Sequence, residues 1–224
     1  KRDDDCLLYP AAKEEIMLAI LAGKDAISFS RTGIKIKNIT LKDTDSTHSG
    51  IIGTAGDVTL TNCQINDCAS YIIYLSGAGT TVTTNNSRFY GGTNVGGWDA
   101  AIYMRDTAVM TSNYDIFSPS PTVNLGKNSV FYQNGTGTLT INNSNVMSNV
   151  AVNLVYQPGA GVTTINNAVL SGGTAATVHR DAGTMTVNTS LVTAGTTGTE
   201  FVGTVTVDAF TTANVAKNPL FVNA

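Results

Sequence analysis

The sequence predicts an all-β solenoid, a parallel β-helix of about seven to eight coils stacked along one axis. Three observations predict it. One short phrase, apolar-x-apolar-x-Asn-x-x-apolar, returns through the chain in a fixed frame. Its copies lie roughly two dozen residues apart, with no helical period between them. A second phrase, an apolar residue followed by an aromatic one, recurs in step with the first.

The first phrase fits Ile34/Ile36/Asn38/Leu41, Val58/Leu60/Asn62/Ile65, Val82/Thr84/Asn86/Phe89 and Val109/Thr111/Asn113/Ile116. It fits again at Leu139/Ile141/Asn143/Val146 and Thr163/Ile165/Asn167/Leu170. A last copy, Met185/Val187/Thr189/Val192, carries Thr in place of Asn. The Asn positions differ by 24, 24, 27, 30 and 24. Each copy reads as a short strand whose side chains alternate inward and outward. A repeat of this length has little room for a strand, a crossover helix and two loops. It suits one coil of a β-helix, and coils stacked at about 4.8 Å give a rod roughly 35 Å long. Asn38, Asn62, Asn86, Asn113, Asn143 and Asn167 end their strands where the chain turns. Asn tolerates the left-handed backbone, and its amide bonds readily to neighbours. Stacked coil on coil, these six amides are expected to form a hydrogen-bonded ladder inside the turn.

The second phrase gives Ile73-Tyr74-Leu75, Ile102-Tyr103-Met104, Phe131-Tyr132-Gln133, Val155-Tyr156-Gln157 and Val178-His179-Arg180. The residue before the aromatic is always apolar and is expected to face the core. That points Tyr74, Tyr103, Tyr132, Tyr156 and His179 outward in one column. Gly follows at Gly77, Gly135 and Gly159 and marks the next turn.

Composition restricts the function. Hydrophobic content is 42% but charged content only 13%, so the surface is built from Thr, Asn, Ser and Gly. A net charge of −3 offers no basic surface to nucleic acid. No apolar run is long enough to span a membrane; the best, Ile16 to Ala22, is short and follows Lys13-Glu14-Glu15. The opening Lys1-Arg2-Asp3-Asp4-Asp5 is no signal peptide, so either one was removed or the chain is a fragment. Of three cysteines, Cys63 and Cys68 are close enough in sequence for a local disulfide, which leaves Cys6 odd. The Thr/Asn-rich, Lys-poor surface suggests an extracellular or cell-surface setting.

These phrases resemble the right-handed parallel β-helix (pectate-lyase-like) superfamily, and most of all the secreted and cell-surface β-helix repeat proteins of microbes. Thr138-Leu139-Thr140-Ile141-Asn142-Asn143-Ser144 is the kind of phrase that recurs in them, and Asn218-Pro219-Leu220-Phe221-Val222 resembles the one that often closes their repeat regions. The resemblance implies an N-terminal cap in residues 1–32: an amphipathic helix beginning near Glu14, then Gly23-Lys24-Asp25 and a first strand Ala26-Ile27-Ser28-Phe29. Coils would fill 33–224. The fold carries enzymes, adhesins and structural proteins alike.

Pectate lyases of this superfamily hold calcium with clustered Asp and abstract a proton with a basic residue; polygalacturonases use several Asp, a His and an Arg-Ile-Lys segment. Asp57, Asp67, Asp99, Asp115 and Asp181 fall in scattered frames here and do not stack that way. The dense polar patch Asp43-Thr44-Asp45-Ser46-Thr47-His48 resembles a polygalacturonase acidic segment, but the matching downstream segments are absent. Asp43, Asp45 and His48 are therefore the catalytic candidates of an enzymatic reading and a solvated turn on the structural one. A second patch is Trp98-Asp99, Arg105-Asp106 and His179-Arg180, with Trp98 in a Gly-rich loop. No metal-ligand spacing is found.

Two outward columns remain. Thr59, Thr83, Thr140, Thr164 and Thr186 share a frame that Lys35 and Met110 interrupt, with Thr61, Asn85, Ser112, Asn142, Asn166 and Asn188 beside it. Such a face is ordinary for exposed strands and also suits a repetitive ligand, ice or a crystalline polysaccharide. The Tyr column suits stacking on sugar rings, burial against a partner or a purely structural stack. Asn-x-Ser/Thr sequons occur at Asn38, Asn85, Asn134, Asn142 and Asn188; Asn85, Asn142 and Asn188 are expected to face outward and so to be open to glycans.

The expected function is a non-enzymatic extracellular structural or surface protein, adhesin-like or filament-forming, without cofactor, whose partners are copies of itself or other surface proteins. The alternative is a polysaccharide lyase or glycoside hydrolase, with calcium a candidate cofactor in the lyase case. A weaker alternative is an ice- or carbohydrate-binding module using the Thr/Asn face.

Overall fold

Alternation of apolar and polar residues gives each copy of the phrase one face that must leave water. A single short strand cannot bury it, so coils stack. The computed structural model describes residues 7–8, 16–19, 27–42, 49–66, 68, 70–90, 100–118, 129–148, 151–194, 198–209 and 211–213. These form three parallel sheets of nine, nine and eight strands, and each coil but the last contributes one strand to each sheet. The first sheet runs through Ile34–Lys37, Asp57–Thr61, Thr81–Asn85, Val109–Asn113, Thr138–Asn142, Val162–Asn166 and Thr184–Asn188. The second runs through Ile39–Lys42, Gln64–Asn66, Arg88–Tyr90, Ile116–Ser118, Asn145–Ser148, Val169–Gly172 and Leu191–Ala194. The third contains Ile73–Leu75, Ala100–Met104, Ser129–Gln133, Asn153–Gln157 and Ala176–Arg180. No helix occurs among the described residues.

The core is a set of columns along the rod. Leu41, Ile65, Phe89, Phe117, Val146, Leu170 and Val192 stack down the second sheet, all buried. Phe89 and Phe117 are parallel at 4.6 Å between ring centres, and Phe131 meets Phe117 edge-on at 4.7 Å. Each such side chain contributes about 1.5–3 kcal/mol of transfer free energy. In the third sheet Ile73, Ile102, Phe131, Val155 and Val178 face inward, as the apolar-aromatic phrase predicts.

Three expectations need correcting. The repeat slips by one residue in the fourth coil. Met110 pairs with Val82 and Leu139, so Met110 and Ser112 point inward rather than Val109 and Thr111, and Phe117 takes the place expected of Ile116. Apolar Val109 and Ile116 imitate the true frame, and coils of unequal length hide the slip. The capping helix is also replaced in part: Ile16–Ala19 is a strand paired in parallel with Ile39–Lys42. A short apolar run does not distinguish helix from strand, and the neighbouring strand edge supplies backbone partners for it. The rest of the expected helix lies outside the described residues. Finally, Cys63 and Cys68 are buried thiols that form no disulfide with each other. The three-residue strand Gln64–Asn66 separates them. Extended chain of that length spans about 10 Å, beyond the roughly 7 Å reach of a disulfide between Cα atoms.

Candidate functional site

The corner between the first and second sheets shows how the sequence is used. Asn38, Asn62, Asn86, Tyr114, Asn143, Asn167 and Thr189 all have positive φ, between 48° and 58°. The fourth is Tyr114, not Asn113. Each of the first six donates its N–H to a carbonyl one coil on, as Asn86 does to Asn113 at 3.0 Å. Their side chains bond at 3.2 Å from Asn62 to Asn38 and at 2.6 Å from Asn167 to Asn143. Tyr114 interrupts this ladder and projects with 62% of its surface exposed.

The longer ladder stands one residue earlier, on the outward face. The Nδ2 of Asn113 donates to Asn85, Asn142 to Asn113, Asn166 to Asn142 and Asn188 to Asn166, at 2.9–3.0 Å. Asn113 therefore belongs to the column in which Ser112 was expected. The same shift repairs the Thr column. Thr59, Thr83, Thr111, Thr140, Thr164, Thr186 and Thr206 pair rung to rung without a break, and Lys35 and Leu7 follow at one end. Met110, expected to interrupt it, is inside.

A third series lines the interior just past the turn, and it was not foreseen. Ser87 Oγ accepts the Cys63 N–H at 3.1 Å, Asp115 Oδ1 the Ser87 N–H at 2.7 Å, Ser144 Oγ the Asp115 N–H at 3.1 Å and Ser190 Oγ the Ala168 N–H at 3.1 Å. Ser87, Ser144 and Ser190 also donate to the carbonyls of Asn85, Asn142 and Asn188. The signal was the Ser that follows the turn residue, Asn86, Asn143 or Thr189. It explains three of the sequons structurally: their amides belong to the outer ladder and their hydroxyls to the inner one.

Asp115 is 1% exposed and forms no ion pair among the described residues. Hydroxyls of Thr84 and Ser112 donate to its Oδ2. Burial nevertheless outweighs these bonds and raises its pKa above the usual carboxylate value. The other described aspartates are bound as well. Asp57 accepts the Gly33 N–H at 3.0 Å and Asp106 the Gly77 N–H at 2.9 Å. Asp208 accepts from Thr189 and Thr211, the Thr211 hydroxyl foremost in lowering its pKa. Asp181 accepts the Tyr156 hydroxyl at 2.7 Å and lies 2.9 Å from His179 Nε2. Burial, then that bond to Asp181, raises the pKa of Tyr156.

The aromatic column forms as expected on the outer face of the third sheet. Tyr74 and Tyr103 stack at 5.6 Å, Tyr103 and Tyr132 at 5.2 Å, Tyr132 meets Tyr156 edge-on at 5.3 Å, and Tyr156 tilts over His179 at 4.7 Å. Tyr103 and Tyr132 are only 5% exposed, so the middle of the column is a second small core. Its first rungs open into a cleft of about 260 Å³ lined by Tyr71, Tyr74, Tyr103, Arg105 and Asn134. Tyr71, unremarked in the sequence, packs on Tyr74 and Tyr103 at 5.3 and 5.4 Å. The Tyr74 hydroxyl accepts from Arg105 Nη1 and the Tyr103 hydroxyl from Asn134 Nδ2, both at 3.4 Å. Arg180 joins no such patch; its guanidinium donates to the carbonyls of Gly183 and Thr204. Asp43, Asp45, His48 and Trp98 lie outside the described residues, and among those described no cluster of His, Cys, Asp or Glu is arranged to hold a metal.

Comparison with known proteins finds no matching family model, no matching curated protein and no matching solved structure.

Proposed function

We propose that this chain is a non-enzymatic extracellular solenoid of structural or adhesive kind, which presents its stacked faces to copies of itself or to other surface molecules. One observation carries the reading. Every described aspartate is engaged by a turn N–H or a side chain of its own fold, whereas acid–base chemistry needs carboxylates converging on open space. The low charge and the amide and hydroxyl ladders belong to a rigid, repetitive scaffold. The test is electron microscopy of the isolated protein beside an assay on a panel of polysaccharides. Filaments or sheets without release of sugar fragments are expected. Calcium-dependent depolymerisation would overturn the reading in favour of a lyase built on the Asp43, Asp45, His48 segment or the Trp98 loop.

A second reading, ice binding, is favoured by the unbroken Thr column. Its hydroxyls repeat at about 4.8 Å between rungs, and alternate side chains repeat at about 6.6 Å along each strand. From Thr81 to Asn188 this face carries Thr, Val and Asn and no charge. Thermal hysteresis that disappears on replacing Thr140 and Thr164 with Tyr would support it; none in the unaltered protein would end it.

A further inference from the structure

The cleft beside the aromatic column is the place where the surface departs from its repeat. Three tyrosines converge there because Tyr71 folds over the ends of the Tyr74 and Tyr103 stack. No other described coil adds such a third ring. Arg105 closes the rim, exposed to solvent. Among the described residues it makes no ion pair, because the adjacent Asp106 carboxylate turns away to the Gly77 N–H. Its one side-chain partner among those residues is the Tyr74 hydroxyl, which accepts the bond.

We infer that this cleft binds the non-reducing end of a glycan capped by a carboxylated sugar. Each part of the ligand follows from a part of the site. Phenol rings offer a flat apolar shelf to the C–H face of a pyranose. An unpaired guanidinium is matched by a carboxylate, with which it forms charge-assisted bonds. A cationic ligand, which an aromatic cluster would otherwise attract, is repelled by the same Arg105. Size decides how the sugar enters. At about 260 Å³ the cleft falls short of the roughly 300–1,000 Å³ of sites for larger ligands. It holds one ring, and a chain end presents that ring with the least polymer left against the rim. The inference rests on the reading of this chain as a non-enzymatic binding scaffold.

The experiment is a calorimetric titration of the full chain with three saccharides: an oligosaccharide ending in a carboxylated sugar, its methyl ester, and an internally linked polyuronide. The free acid is expected to bind about ten- to a hundredfold more tightly than the ester, the range of a charge-assisted bond. The preference should weaken with added salt. Arg105→Gln should bind both weakly and lose the preference; the side chain is exposed, so the fold is not at risk. Tyr74→Phe should keep the shelf and most of the affinity, and Tyr74→Ala should lose both ligands. Equal binding of acid and ester, or a preference that survives Arg105→Gln, would overturn the assignment. So would polyuronide binding as tight as the chain end. Absence of all binding would remove the site and leave the scaffold reading standing. Release of sugar fragments would instead overturn the scaffold reading.

Discussion

Asp115 is a carboxylate inside a rod of apolar columns, held by the Ser87 N–H and two hydroxyls. Its folded pKa is raised, by burial first, above an unfolded value of about 3.9. The native state therefore binds a proton more readily than the unfolded one, and between the two values stability falls as pH rises. Asp115→Asn keeps an acceptor for Ser87 and removes the charge. It should match or exceed the parent at pH 7 and flatten the pH dependence of urea midpoints above pH 4. Asp115→Ala strands buried donors and should cost about 2–4 kcal/mol in the same titration. Tyr114 poses the opposite case, a bulky residue at φ 58° where other coils place Asn. Left-handed backbone costs an ordinary residue about 1–2 kcal/mol. Tyr114→Asn should therefore raise the melting temperature, by about 1 kcal/mol of stability; a lower one would mean that the exposed ring packs usefully.

At the scale of the strand, most of the pattern was legible. The alternation at Leu139/Ile141 or Val58/Leu60 fixes which face goes inward, because a strand has a period of two and one buried side. The fourth coil was not legible, since Val109, Thr111 and Ile116 satisfy the same template one residue out of register. Only pairing with rungs on both sides selects Met110 and Phe117. That choice decides the site: it fills the Thr column with Thr111 and moves Asn113 into the outer amide ladder. Asn142 stands mid-ladder, donating to Asn113 and accepting from Asn166. Asn142→Ala should cost about 1–2 kcal/mol by chemical denaturation, and the loss should shrink if Asn113 is already Ala, because neighbours in a ladder are coupled. Phe117→Ala, in the stacked pair with Phe89, should cost about 3–5 kcal/mol. At the end of its strand, Gly172 has φ 121°, and a Cβ there would collide with the Ser148 carbonyl, so Gly172→Ala should be destabilising by the same measurement.

Across the whole molecule, each coil touches chiefly the coils before and after it, so stability is a sum of rungs and their interfaces. Central rungs have five-residue strands in the first sheet, whereas Thr206–Val207 and Thr212–Ala213 have two. Hydrogen exchange should be slowest in the five-residue strands between Thr81 and Asn188 and fastest in those short strands; uniform protection would mean the rod opens as one unit. The repeat, the parallel stacking, the inward columns and the outward Tyr series can be read along the chain, because period and alternation are properties of its residue order. The register of the fourth coil, the unbridged thiols of Cys63 and Cys68, the buried carboxylate of Asp115 and the meeting of Tyr71, Tyr74 and Arg105 are settled only in the folded rod. Those depend on which atoms of adjacent coils meet, and residues some thirty positions apart carry no local signal of that meeting.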